Sequence, residues 1–142
     1  MTRYICAAFD GVNAVEGYGD LFFLYDPDRD LPPERQLPFA TIVTGDHDYD
    51  DFSDLDRPGA YRLNIGLTKA TYATRFGAVT SPPDYAARDT LMPHPIYAAQ
   101  HWVCVVDPGE ATMATVETLL AEAHAFAARK HANYQARREH RP

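Results

Sequence analysis

Apolar and polar side chains alternate along much of the chain up to Val106, and beyond it apolar residues recur at spacings of three and four. The first pattern predicts strands and the second predicts one long helix. Val12 to Gly17 and Asp20 to Asp26 form the first two strands, joined by a tight turn near Tyr18-Gly19-Asp20. The second strand sets Phe22 and Leu24 on one face and Phe23 and Tyr25 on the other, a pattern that suits a pleated surface. Ahead of them, Thr2 to Phe9 predicts a short helix with Ile5, Cys6 and Phe9 on one side, stopped by Asp10-Gly11.

Asp26 to Leu37 carries three prolines and six charged residues without an apolar period, which predicts an exposed loop. Pro38 then opens the nearly continuous apolar run Phe39 to Thr44, expected in the middle of the sheet and buried on both faces. Gly45 to Pro58 is an acidic, solvated loop. In the next strand, Gly59 to Leu67, alternation puts Tyr61, Leu63, Ile65 and Leu67 on one face and Arg62, Asn64 and Gly66 on the other. Thr68 is placed to cap a two-turn helix ending at Phe76, with Gly77 as its stop and Ala78 to Asp89 as a loop. His101 to Val106 is a strand with Trp102, Cys104 and Val106 on one face. After the turn Asp107 to Glu110, Met113, Val116, Leu119, Leu120, Ala123, Phe126 and Ala127 line a helix from about Thr112 to about Arg138. Its length predicts a frayed end or tail over residues 132–142. The sum is an α+β domain: an antiparallel sheet of about five strands crossed by the C-terminal helix.

The totals narrow the class further. A chain of 142 residues fits a single domain, residues 1–142, and 46% hydrophobic with 23% charged content is ordinary for a globular protein. No apolar run reaches membrane-spanning length and the N-terminus lacks a signal-peptide pattern, so a soluble cytoplasmic protein is expected. Cys6 and Cys104, both among apolar neighbours, read as reduced core thiols. The formal net charge of -7 argues against a nucleic-acid partner. Arg137, Arg138 and Arg141 read as a solvated helix end.

Candidate chemistry is sparse. Asp46, Asp48 and Asp50 match the first alternating ligands of an EF-hand loop, but Asp51 stands where glycine is needed and Arg57 where glutamate is needed. His124 and His131, seven apart on one helix, sit too far apart to share an ion, and their stripe reads as a solvated face. No metal and no cofactor is therefore expected. There is no nucleophile elbow and no glycine-rich phosphate loop. What remains is a polar strand face, Arg62 and Asn64, which reads either as an ion pair of Arg62 with Asp54 or Asp56 or as an anion or carbonyl anchor in a pocket. His94 is held between Pro93 and Pro95 in extended geometry, with Asp54, Asp56 or Tyr97 as its expected partner for acid–base work. The expected site gathers Arg62, Asn64, His94, Tyr97 and Trp102, with His94 as the candidate catalytic residue.

Phe39-Ala40-Thr41-Ile42-Val43, Asp56-Arg57-Pro58-Gly59, Arg62-Leu63-Asn64-Ile65-Gly66, Pro93-His94-Pro95-Ile96-Tyr97 and Trp102-Val103-Cys104-Val105 occur in that order. With them the chain resembles, over nearly its whole length, a bacterial domain-of-unknown-function family, DUF6194. More remotely, the hairpin, the tryptophan strand and the closing helix resemble the MmcQ/YjbR-like proteins. That resemblance implies a small α+β domain with an antiparallel sheet and, by fold analogy, a DNA-binding role at odds with an acidic chain. The resemblance implies a longer N-terminal helix than the start Met1-Thr2-Arg3-Tyr4 allows here. The functional order expected is a domain binding a small molecule or protein partner, then a small enzyme using His94 as acid or base, then a nucleic-acid binder.

Overall fold

The computed structural model describes residues 1–77 and 81–139. Its sheet is antiparallel with six strands: β1 (Val12–Gly17), β2 (Asp20–Tyr25), β3 (Ala40–Val43), β4 (Arg62–Gly66), β5 (Met92–Pro93) and β6 (Trp102–Val106). They lie in the order β1-β2-β3-β4-β6-β5. Three helices accompany them, α1 (Thr2–Ala8), α2 (Lys69–Phe76) and α3 (Met113–Glu139).

The strand absent from the sequence reading is β5, and its composition explains why. Two residues carry no period, and proline has no N–H for a ladder. At the sheet edge that missing donor costs nothing, so Met92 and Pro93 pair with Cys104 and Val103 on one side only.

Alternation in β4 divides the sheet as expected. Leu63 and Ile65 join Phe23, Ala40, Ile42, Val103 and Val105 in a core covered by Ile5 of α1 and by Val116, Leu119, Leu120 and Ala123 of α3. The opposite face carries the lateral row Phe22, Thr41, Asn64, Cys104 and Met92, each directly across from the next. Beside it run Val43, Arg62 and Val106. One face is thus sealed by helices, while the other keeps polar side chains in the centre of the sheet.

Several local expectations change. Cys6 is exposed rather than in the core, because the short α1 turns Ile5 inward and Cys6 away. Cys104 is buried, and burial pushes its thiol up to about 12. Gly45 to Pro58 is not a solvated loop: it folds over the polar face, burying Asp50, Ser53 and Leu55. Nor is the His124 and His131 stripe a wet surface. His124 stacks on Phe9 and its Nε2 lies 2.7 Å from the Asp10 carbonyl, while His131 packs edge-on to Tyr25. α3 runs as regular helix to Glu139, inside the expected tail. The rest of that tail, with Arg141, lies outside the described residues, as do residues 78–80 of the loop after α2.

Thr68 caps α2 as predicted, its hydroxyl accepting from the Thr71 N–H at 3.2 Å. The β1–β2 turn places both Tyr18 and Gly19 at positive φ, 55° and 82°, as a type I′ turn requires. Tyr18 is exposed and holds the left-handed conformation without a hydrogen-bonding side chain to favour it. Replacing Tyr18 with Asn should stabilise the fold by about 0.5–1 kcal/mol, read as a higher urea midpoint with unchanged slope. A lower midpoint would show that the tyrosine ring contributes more than its backbone costs.

Candidate functional site

The polar face of β4 is organised around Arg62, the largest side chain that is wholly buried. A guanidinium in that position must direct its five N–H donors at acceptors supplied by the fold. Its Nε donates to Asn64 Oδ1 at 2.9 Å, and its Nη1 donates to Asp50 Oδ1 at 2.9 Å and to Ser53 Oγ at 3.0 Å. Its Nη2 donates to Asp50 Oδ2, completing a bidentate pair. Asn64 is fixed in turn, since its Nδ2 donates to Thr41 Oγ1 at 2.9 Å. Alternation alone puts Arg62 and Asn64 on the same side, two residues apart, and Thr41 opposite Asn64 in β3.

The acceptors come from the 45–58 loop. A tight turn closes between His47 and Asp50, each donating its N–H to the other's carbonyl at 3.0 Å. That turn points two side chains into the same hollow: Asp50 at Arg62, and His47 at Asp20, with Nε2 3.0 Å from Oδ2. Asp46 and Asp56 hold the loop shape, accepting from the backbone N–H groups of Leu55 and Asp46. Arg57 ties the loop down through the carbonyls of Ser53, Asp54 and Ala86.

This corrects the expected ion pair. Asp54 reaches Arg57 at 3.6 Å and Asp56 caps the loop, so neither meets Arg62 or His94; Asp50 does. Burial alone would raise the Asp50 carboxyl, but the hydrogen bonds and charge of Arg62 outweigh it and hold the group below the usual carboxylate range.

His94 arrives from the other side. Pro93 is anchored in β5, and the His94 N–H donates to the Trp102 carbonyl at 3.0 Å, so the imidazole projects over β4. Its Nδ1 accepts from the N–H groups of Ile96 and Tyr97, both at 3.0 Å. An atom accepting two hydrogen bonds carries no proton, so the ring proton of neutral His94 resides on Nε2. Nε2 lies 3.5 Å from Arg62 Nη2. Burial first, and the Arg62 charge second, lower the His94 pKa to about 4, with Asp50 pulling weakly the other way. A group neutral down to that pH is uncharged near neutrality.

Tyr97 packs against His94, ring centres 5.0 Å apart, and is half-exposed. Trp102 lies across from Gly66 in the ladder, where a side chain would collide: a Cβ there would stand 2.9 Å from the indole. The five expected residues therefore meet. Arg62, Asn64, His94, Tyr97 and Trp102 all line one cavity of about 430 Å³, together with Asp20, Phe22, His47, Tyr49 and Asp50. Among the described residues, no three His, Cys, Asp or Glu side chains gather in a way that could hold a metal ion.

Residues 1–138 match a family model described as a family of unknown function. The chain belongs to DUF6194. No curated protein and no solved structure matches it, so the MmcQ/YjbR resemblance brings no known fold or activity to this chain. Among the described residues of this DUF6194 protein, no helix is long and apolar enough to cross a membrane.

Sequence reasoning missed Asp20, His47, Asp50 and Ser53. The only signal was indirect: a strand face bearing Arg62 and Asn64, if covered, needs buried acceptors, and an acidic loop precedes it. Which aspartate answers depends on the 47–50 turn, which has no sequence signature.

Two outcomes test this network. Asp50→Ala leaves the Arg62 charge buried and unpaired and should cost about 3–5 kcal/mol in urea unfolding; a loss under about 1 kcal/mol would show that Arg62 is hydrated. Stability should also fall with pH through His94. Between pH 6.5 and about 4 the unfolded chain takes up a proton that the folded chain refuses, so the loss grows as pH drops through that window. It amounts to about 3 kcal/mol. His94→Phe should remove that part of the slope, and identical slopes in both proteins would refute the buried neutral imidazole.

Proposed function

We propose that this DUF6194 protein binds a small organic molecule in the cavity over the polar face of the sheet. The observation that carries the reading is a wholly buried Arg62, held by Asp50, Ser53 and Asn64, at the floor of an aromatic-walled cavity of about 430 Å³. A buried ion pair contributes little net stability compared with well-packed apolar residues, so stability alone is a weak reason to place one there. Ligand sites, by contrast, combine apolar walls with a few fixed polar groups, and cavities of this size suit them. Trp102, Phe22, Tyr49 and Tyr97 supply the walls and Arg62, Asn64 and His94 the polar groups.

An enzymatic reading has one specific support. His47 lines the same cavity, with its Nε2 against the buried Asp20 carboxylate. If the domain carries out proton transfer, the Asp20–His47 pair, and not His94, is the group to test by substitution.

Native mass spectrometry on protein purified from its own host is the direct experiment. The expected result is a retained small molecule, absent from Leu37→Trp, in which the exposed Leu37 at the cavity rim is enlarged to obstruct entry. Adding that molecule back should raise Tm of the wild type by about 5 °C at saturating concentration and leave Leu37→Trp unmoved. Protein that is empty and whose Tm responds to no small molecule in a chemically diverse set would overturn the proposal.

A further inference from the structure

The hydrogen-bond count at the cavity floor comes out one acceptor short. Arg62 directs Nε–H at Asn64, both Nη1 hydrogens at Asp50 and Ser53, and one Nη2 hydrogen at Asp50. Its remaining Nη2 hydrogen faces His94 Nε2. That nitrogen carries the ring proton, because Nδ1 already accepts from Ile96 and Tyr97. Two donors therefore stand 3.5 Å apart, on side chains 0% and 3% exposed, and neither can accept from the other. A buried donor without a partner is costly, and two aimed together call for one shared acceptor. An oxygen about 2.9 Å from each nitrogen would complete a triangle on that base.

We infer that the ligand of this cavity is a neutral, ring-bearing carbonyl compound whose oxygen sits between Arg62 Nη2 and His94 Nε2. This rests on the ligand-binding reading above and sharpens it.

Neutrality follows from the charges lining the cavity. The one guanidinium there is already met by the Asp50 carboxylate, and Asp20 adds a second carboxylate on the same lining. An anionic oxygen would gain the two donors but face both carboxylates across the cavity. A ketone, amide or lactam oxygen accepts the same two hydrogen bonds without that repulsion. The ring follows from the walls, since Phe22, Tyr97 and Trp102 present apolar faces around the polar floor. Amide and lactam rings are the chemistry that satisfies both demands with the fewest atoms.

Three probes of similar size separate the claims: acetophenone, ethylbenzene and benzoate, titrated against ¹⁵N-labelled protein by NMR. Acetophenone should bind about tenfold more tightly than ethylbenzene, the worth of one well-made hydrogen bond to a charged donor, and more tightly than benzoate. His94→Phe should reduce that preference to the share that Arg62 supplies, while keeping ring binding. Histidine ¹⁵N shifts on the wild type give a second readout that needs no variant. They should show a proton-bearing Nε2 and a bare Nδ1, with Nε2 moving when acetophenone is added.

Equal affinity for acetophenone and ethylbenzene would leave the donor pair to a water molecule and overturn this inference, with the binding function intact. Preference for benzoate, or a proton found on Nδ1, would overturn it as well. If none of the three perturbs the cavity resonances and the protein from its host is also empty, the binding proposal falls with it.

Discussion

A buried positive charge dominates this structure. Arg62 lies in the centre of a six-stranded sheet, and a guanidinium removed from water there depends on acceptors that the fold supplies. The demand recruits groups from two places: Asn64 on the same strand, and Asp50 and Ser53 from a loop that would otherwise be solvated. Thr41 on the neighbouring strand then orients Asn64. The loop is drawn onto the sheet by that charge, with Leu55 joining Val43, Ala60 and Val106 in a small apolar cluster beneath it. Covering the polar face is what makes a cavity there.

The same charge shapes the chemistry of its neighbour. His94 faces backbone N–H groups at one ring nitrogen and a guanidinium at the other, so every close contact on the ring favours the uncharged form. The site consequently combines a permanently charged donor with a neutral one. Such a pair suits recognition of an acceptor atom, which is the ground on which the binding proposal rests. The His47 and Asp20 pair, on the same cavity lining, has the makeup of an acid–base unit.

Much of the fold was legible because it depends on local chemistry. Alternation in β4 separated Leu63 and Ile65 from Arg62 and Asn64; the spacing of Val116, Leu119, Leu120 and Ala123 marked the face of α3 that seals the core. Thr68 and Gly77 bounded α2 as their chemistry requires. The misses share a cause as well. Cys6 looked internal because its neighbours are apolar, yet the facing of so short a helix is set by what it docks on. β5 was invisible because its strand character comes wholly from pairing with β6.

The site divides along the same line. By itself the sequence determined that Arg62 and Asn64 share a strand face, that His94 is held extended between two prolines, and that Trp102 belongs to a neighbouring apolar strand. These follow from the two-residue period of a strand and the fixed geometry of proline. Only the tertiary structure decided that Asp50, rather than Asp54 or Asp56, meets Arg62, and that His94 Nε2 stops 3.5 Å from it. Several aspartates in one loop are chemically equivalent along the chain. Which of them reaches a buried charge depends on where the loop turns and lands, a matter of distances across the fold that no local pattern encodes.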